Sequence, residues 1–439
     1  MIMPLVELQF TDLIGILRSV TRSFKSLESV EALFDGSSVA GFVDIESSDL
    51  VLRPASKVFN KIPWRPNVLR AICKVYTGNR RFSRDPRYIA EKLEEYVKSI
   101  GYNVLVGVEV EYFIINKVKL SFKPPHIMSI ELGSSEELFI GKKRGYYMPS
   151  PLDAVYAIRD ETIKILREYF NIEIVSTHHE VAAMGQGEFS IKATTPVELA
   201  DNIQTLKYVL RNVAKQHNHV AVFMPKLIPE DNGSGMHIHL SLWDKDFTKN
   251  LFYDPSDEYA YLSQTARYFI GGLIEHARSL SAIVSPTVNS YRRLVPGYEA
   301  PVYLTWSKGN RSAAIRVPLP LGSNIRIEYR PPDPSANPYL ALSAIVLAGI
   351  DGIRKKIDPG EPLDINVYKL SVKDMKKLGI KILPRSLDEA LDELEVDNEY
   401  LKPVFTNDVI NTYIELKRKE ILSLKQYPSI AEYSYYLSF

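Results

Sequence analysis

The sequence predicts an α+β protein, with a small unit over residues 1–100 and a larger one over residues 101–439. Three observations carry that expectation. Short alternating stretches and turns fill the first hundred residues and end in a helical pattern. Long amphipathic helices alternate with strands over the rest. Three of the later strands set an apolar face against an ionisable one. A chain of 439 residues is also long enough for two or more domains.

In order along the chain, residues 3–10 (MPLVELQF) alternate like a strand. SVEALF (29–34) begins either a helix or a second strand, and the Asp-Gly pair makes FDGSS (34–38) a turn. Residues 42–53 and 68–76 look like further short strands, and 83–101 has helical spacing with a stop at Gly101. A strand is expected at 104–115 and amphipathic helices at 149–171 and 195–218. Between these helices, HHEVAAMGQGEFSI alternates poorly. Residues 258–284 read as one helix, and 286–303 as a loop rich in Pro and Gly. Strands at 312–317 and 324–330, an apolar helix at 334–356 and a helical tail beyond about 385 complete the pattern.

Composition excludes several classes. Hydrophobic residues make up 45% and charged residues 24%, an ordinary globular balance. The 54 basic residues nearly cancel the 53 acidic ones, so nothing points to a nucleic-acid or membrane surface. The only cysteine, Cys73, rules out an internal disulfide framework and suits a reducing cytoplasm. No apolar run approaches a membrane span, and MIMPLVELQFTDLIG does not resemble a secretory signal.

The ionisable faces suggest chemistry. In VLVGVEVEYFII, Glu109 and Glu111 share a face opposite Val108 and Val110. In NGSGMHIHLSLW, His237, His239 and Ser241 oppose Ile238, Leu240 and Leu242. In NIRIEYR, Arg326, Glu328 and Arg330 oppose Ile325, Ile327 and Tyr329. One such strand alone reads as the wet side of an antiparallel sheet. A solvent face, however, mixes Lys, Thr, Ser and Gln, and none of these three does. With HHE at 178–180 and Glu188 in GQGE, five carboxylates and a histidine can converge on one cleft. Clustered like charges repel unless a cation sits among them. Oxygen donors with few nitrogens and no sulfur suit Mg²⁺ or Mn²⁺. A second group is basic: Arg292, Arg293, Arg311, Arg316, Arg326 and Arg330. Divalent metal with arginine is the equipment of phosphoryl transfer. The chain has neither GxxxxGK[ST] nor GxGxxG, so a nucleotide would bind through another architecture.

Seven stretches in order carry a resemblance: FDGSS, EVEYF (109–113), HHEVAAMGQGE (178–188), NGSGMHIHLS (232–241), NSYRRLVPGYEAP (289–301), NRSAAIRVP (310–318) and RIEYRPPDPSANPYLAL (326–342). Over nearly its whole length the chain resembles glutamine synthetase of the class I type. The resemblance implies a β-grasp domain, then a catalytic domain whose curved antiparallel sheet forms a funnel-shaped site flanked by helices. It implies one metal held by Glu111, Glu180 and Glu188, and a second held by Glu109, His237 and Glu328. Glutamate would meet Asn232, Gly233, Arg293 and Arg330. ATP would meet His239, Ser241, Arg311, Arg316 and Arg326. Glu299 would sit in a flap. Ammonium would enter a pocket of Asp35, Ser38, Tyr146 and Glu180, with Asp35 taking its proton. In this family Asp35 and Ser38 serve a neighbouring subunit, within a usual assembly of twelve subunits in two stacked hexamers. The implied reaction joins ammonia to the γ-carboxylate of glutamate through a γ-glutamyl phosphate, with ATP as cosubstrate and Mg²⁺ or Mn²⁺ as cofactor.

Some positions depart from the family pattern. Ala183-Met184 replaces Pro-Gly or Ala-Gly, in a loop and not at a ligand. Ser323 replaces a lysine near the nucleotide. In INVYKLS (365–371), Tyr368 is present, but Lys369 and Ser371 replace an acidic residue and a proline, so no adenylylation is expected. Asp44 stands where feedback-inhibited members often have arginine. Two rival readings are a ligase for a larger amine, such as a polyamine or ethanolamine, and a silent regulatory paralogue. The matching ammonium pocket argues against the first, and the complete ligand set against the second.

Overall fold

The computed structural model describes residues 3–123, 127–136, 139–319, 324–370 and 372–432. Ser323 and Ser371 therefore lie outside the described residues, as does the tail beyond 432.

The N-terminal sheet runs in the order Leu17–Ser23, Leu5–Thr11, Arg65–Thr77, Asp49–Pro54, Ala32–Asp35. Leu5–Thr11 pairs in parallel with Arg65–Thr77, and its other neighbour is antiparallel. SVEALF resolves as a short 3-10 turn, Leu27–Ser29, followed by the strand Ala32–Asp35. Val6, Leu8, Phe10, Leu50, Leu52, Cys73 and Val75 bury one face of the sheet with Phe42 and Phe82. The opposite face is polar yet also buried, because the helix Pro196–Gln216 lies against it. Arg70 donates to Gln9 at 2.5 Å and to Thr205 at 3.0 Å, and the Tyr208 hydroxyl donates to Glu7 at 3.0 Å. Buried polar groups persist where each finds such a partner.

The helix Pro86–Ser99 follows, with Asp85 accepting from the Arg87 amide and Pro86 in its first turn. Gly101, at φ 93°, ends it in the left-handed region. Its inner stripe of Ile89, Ala90, Leu93 and Val97 joins the core of the larger unit.

Among the described residues the larger sheet has nine strands. Its main path is Ile174–His179, Gln186–Thr194, Asn103–Lys123, Met236–Trp243, Ile327–Tyr329, Ile315–Val317, Trp306–Lys308. Val220–Val222 and Ile127–Ser134 also pair with the long strand Asn103–Lys123. Val106, Val108, Val110, Ile238 and Leu240 face a helical layer that includes Pro196–Gln216 and Pro338–Lys355. The second of these helices is buried on nearly every side, as its all-round apolar sequence demands.

The helix expected at 149–171 begins only at Tyr156, and the strand expected at 42–53 is the 3-10 turn Ile45–Ser47 followed by Asp49–Pro54. Two further expectations change. HHEVAAMGQGEFSI is a pair of antiparallel strands whose reversal needs positive φ at Met184 (65°) and Gly185 (71°). The turn hides the alternation on either side of it. Residues 258–284 hold two helices, Gln264–Glu275 and Ala277–Val284. They break at His276, whose ring is held by Asp351 and Asp397 from two other segments.

Candidate active site

Register builds the site. Across the polar face, Glu188 lies opposite both His178 and Glu111. Glu109 lies opposite His237 and Ser190. Glu328 lies opposite His239 and Arg316. Directly opposed residues of an antiparallel pair share a face, so three rows of charged side chains stand side by side. The faces inferred from alternation are the faces observed.

These rows open into a cavity of about 440 Å³. His237 Nδ1 lies 3.2 Å from Glu109 and 3.8 Å from Glu328, and its Nε2 lies 3.9 Å from Glu111. His239 Nε2 lies 3.0 Å from Glu109. His178 spans Glu180 and Glu188 at 3.5 and 3.4 Å. Arg316 and Arg330 both bond Glu328, the latter at 2.6 Å. Among the described residues, two triads bring ligand-type atoms within 4.8 Å of one another: Glu109, Glu188 and His237, and His178, Glu180 and Glu188.

The electrostatics are unbalanced. Burial, reinforced by the charge of neighbouring glutamates, pushes Glu180 and Glu188 well above the usual carboxylate range. Burial also works against ionised Glu328, but Arg330, His239, His237 and Arg316 hold it at about 2. Glu109 is likewise carried below its ordinary value against burial, by hydrogen bonds from His237 and His239. Negative charge thus exceeds what the nearby cations neutralise.

The turn NGSG is shaped by close approach. A Cβ on Gly235 would lie 2.6 Å from Arg293 Nη2 and 2.8 Å from His237 Nε2, and one on Gly233 would lie 2.3 Å from Pro225 O. Only glycine lets this backbone pass so near the cleft. The Gly235 amide donates to Glu111 at 2.8 Å. Buried Arg293 donates to the carbonyls of Pro331 (2.8 Å) and Arg330 (3.2 Å).

Of the residues singled out from sequence, Asn232, Gly233, Arg293 and Arg330 line this cavity. So do Tyr146, Glu299, Arg311 and Arg316. Arg311 donates to the Tyr146 hydroxyl at 3.3 Å, and Glu299 sits at φ 58° on the exposed rim. His239, Ser241 and Arg326 line an adjoining cavity of about 510 Å³ that shares Glu109, Ser176 and Ser190 with the first. Asp35 and Ser38 are not brought in. Their turn stands exposed on the N-terminal sheet, where Ser37 and Ser38 donate to the Asp35 carboxylate and lower its pKa.

Three residues were given no role from the sequence. His178, quoted there only within HHE, shares a strand face with the site, and its signal was the i, i+2 spacing to Glu180. Gln186 accepts from the Ala182 amide at 2.8 Å and donates to Gly233 O at 3.1 Å. Buried Asp231 accepts from the amides of Lys143, Asn232 and Ala183 at 2.9–3.0 Å, and so ties three loops together. An aspartate directly before Asn-Gly was the available cue for it.

Residues 83–436 match the family model of the glutamine synthetase catalytic domain, and residues 3–78 that of the glutamine synthetase beta-Grasp domain. A glutamine synthetase of Sulfolobus acidocaldarius is 50% identical, with 98% of this chain and 95% of that protein covered. One from Thermotoga maritima is 41% identical, with 98% and 96% covered. Among solved structures, Plasmodium falciparum glutamine synthetase aligns with TM-score 0.88 at 29% identity, covering 99% of this chain and 96% of that one. A GmaS/ADP complex aligns with TM-score 0.85 at 28% identity, covering 100% and 97%. With its two domains, its rows of paired carboxylates and histidines and these likenesses, the chain belongs to the glutamine synthetase family.

Proposed function

We propose that this chain uses ATP to join ammonia to the γ-carboxylate of glutamate, giving glutamine, ADP and phosphate. The observation that carries the reading is the convergence, by sheet register, of Glu109, Glu111, Glu188 and Glu328 with His178, His237 and His239, joined by Glu180 just past its strand, beside Arg293, Arg311, Arg316 and Arg330. Crowded carboxylates with raised pKa values are the donor set of a divalent-ion site, and their oxygens suit Mg²⁺ or Mn²⁺. One ion would be held by Glu111, Glu180 and Glu188, and the other by Glu109, His237 and Glu328. When bound, such ions supply charge stabilisation to a transferring phosphoryl group.

The chain's own residues supply the rest. Arg293 and Arg330, with Asn232 and Gly233, orient glutamate. His239, Ser241, Arg316 and Arg326 line the nucleotide end. Arg311 offsets charge on the phosphoryl oxygens in the transition state. The flap at Glu299 excludes water that would hydrolyse the acyl phosphate. Tyr146, Glu180, Asp35 and Ser38 form the ammonium pocket, where Asp35 removes a proton so that neutral ammonia attacks. The exposed Asp35 turn supports delivery from a neighbouring subunit, within a dodecamer of two stacked hexamers. We place the protein in the cytoplasm, which suits its buried, free Cys73. Among the described residues no helix is long and apolar enough to cross a membrane. Tyr368 stays unmodified in this reading, because its hydroxyl donates to Ala300 O at 2.8 Å. Asp44 offers no basic group for feedback by glutamine.

The test is phosphate release from ATP with Mg²⁺ and glutamate, comparing ammonium, a panel of amines and no acceptor. Fastest release with ammonium and glutamine as product is expected. Release only with a larger amine would replace the acceptor, and no release with any acceptor would overturn the reading.

A further inference from the structure

A second cavity, of about 390 Å³, lies away from the catalytic rows. Its walls come from the reversal Ile14–Leu17, the helix Pro196–Gln216, residues 223–225, the Thr287–Asn289 turn and Pro334–Ser335. Two cations one helical turn apart face it, Lys207 and Arg211. Lys207 is only 5% exposed, and its ammonium donates to a single carbonyl, Pro334 O, at 2.6 Å. An ammonium has three donors, so among the described residues most of the capacity of buried Lys207 is unused, and the exposed Arg211 adds a fork of five at the mouth. The Arg211 guanidinium lies 5.0 Å, and the Lys207 ammonium 5.7 Å, from the centre of the same ring, Phe223. Among the described residues no carboxylate comes within 4.0 Å of either cation. The carboxylate whose field reaches Lys207, Asp333, accepts the Ser335 amide and hydroxyl on Oδ1, while its buried Oδ2 has no hydrogen-bond partner among the described residues and lies beyond 4.0 Å of the ammonium. Burial and the neighbouring Arg211 charge push Lys207 down to about 7. Two basic groups beside an open cavity mirror the glutamate rows, and an anion between them is the partner that would let both be charged.

Hydrogen bonds link this cavity to the catalytic cleft. Pro225 O accepts from the Ser234 amide at 2.8 Å, inside the NGSG turn. The Lys226 amide donates to Asn289 Oδ1 at 2.8 Å, and Asn289 Nδ2 returns a bond to Lys226 O at 3.0 Å. Asn289 lines the second cavity, and Arg293, one turn further along, lines the first.

We propose that this cavity is a regulatory anion site, taking a small molecule bearing a carboxylate or phosphate group between Lys207 and Arg211 and transmitting its occupancy to the NGSG turn through Pro225 and Asn289. Arg211 clamps the anion bidentately and Lys207 supplies a point charge at the inner end. The coupling to glutamate affinity rests on the function proposed above; the binding does not.

The test titrates the assembled protein by calorimetry with sulfate, which stands in for a phosphate ester, and separately with succinate. The expected result is one site per chain for at least one anion, weakened about tenfold or more by Arg211→Gln. The same site should survive Arg311→Gln, which removes a guanidinium from the catalytic cleft. Binding of sulfate alone assigns phosphate esters, and binding of succinate alone assigns carboxylates. No binding, binding indifferent to Arg211→Gln, or binding lost only with Arg311→Gln would overturn the site. Arg211 is exposed, so its variant should fold; unchanged thermal unfolding confirms that. In turnover assays the bound anion should shift KM for glutamate about fivefold in the parent and leave Arg211→Gln unmoved. An unmoved parent KM alongside intact binding would overturn the coupling. A preparation inactive with every acceptor would strike the proposed function while the binding result stood.

Discussion

Two buried histidines, His237 and His276, each sit between carboxylates, and the charge around them differs in balance. His237 lies 3.2 and 3.8 Å from Glu109 and Glu328, in a cleft that also holds Glu111, Glu180 and Glu188. His276 lies 3.0 Å from Asp351 and 2.8 Å from Asp397, and stacks on Tyr400 at 4.2 Å. Arg354 and Lys355 also bond Asp351, at 2.5 and 2.8 Å. Burial there works to raise Asp351, yet Lys355, His276 and Arg354 bring it below the ordinary aspartate value. In the cleft, burial and neighbouring glutamates drive Glu180 and Glu188 the other way. The same residue types thus make a closed structural knot where cations match anions, and a ligand-seeking site where they do not.

Substitutions can break this comparison at several strengths. Glu188→Ala removes a donor common to both triads, and glutamine formation should fall by about 100-fold or more while the protein remains folded. Turnover measured across a Mg²⁺ titration checks it, and an unaltered metal dependence would remove Glu188 from the ligand set. Asp35→Ala should slow amide formation by roughly 100-fold with ATP affinity retained. Rapid-quench detection of product beside nucleotide titration separates the two, and normal glutamine output would refute the base role.

His276→Ala is the structural counterpart. It should lower stability by about 2 kcal/mol with kcat unchanged, because it removes the bonds to Asp351 and Asp397 while Arg354 and Lys355 still offset the Asp351 charge. Denaturant unfolding and turnover on the same preparation decide it. The effect should also depend on pH. Burial alone would lower the pKa of His276, but Asp397 and Asp351 raise it above its ordinary value. A raised folded pKa stabilises fully below the unfolded value, and that stabilisation is lost as pH rises through the folded one. The gap in melting temperature between parent and His276→Ala should therefore narrow from pH 6 towards alkaline pH; a constant gap would mean the imidazole is not charged. The smallest effect belongs to Tyr368→Phe, which deletes the single bond to Ala300 O and should cost about 1 kcal/mol with a small change in KM for glutamate.

Much of this molecule was readable along the chain because a strand's faces alternate strictly. Glu109 and Glu111, His237 and His239, and Arg326, Glu328 and Arg330 were placed on polar faces by spacing alone, and register then set them side by side. What escaped was what alternation does not encode. The hairpin holding Glu180 and Glu188 was obscured by its left-handed turn at Met184 and Gly185. The break at His276 was invisible because its cause is two aspartates 75 and 121 residues away. Asp231 acts through three backbone amides, and backbone partners leave no mark in a pattern of side-chain types.

By itself the sequence determined the fold class, the main strands and helices, which of their faces are apolar, the donor chemistry of the cleft and the family. Those properties are local, set by periodicity and by the functional groups present. Only the tertiary structure decided which carboxylates crowd together, which histidine is locked and which faces a cavity, and that Lys207 and Arg211 share a cavity with no acid paired to them among the described residues. Charge balance is a sum over neighbours in space, and neighbours in space come from segments far apart along the chain.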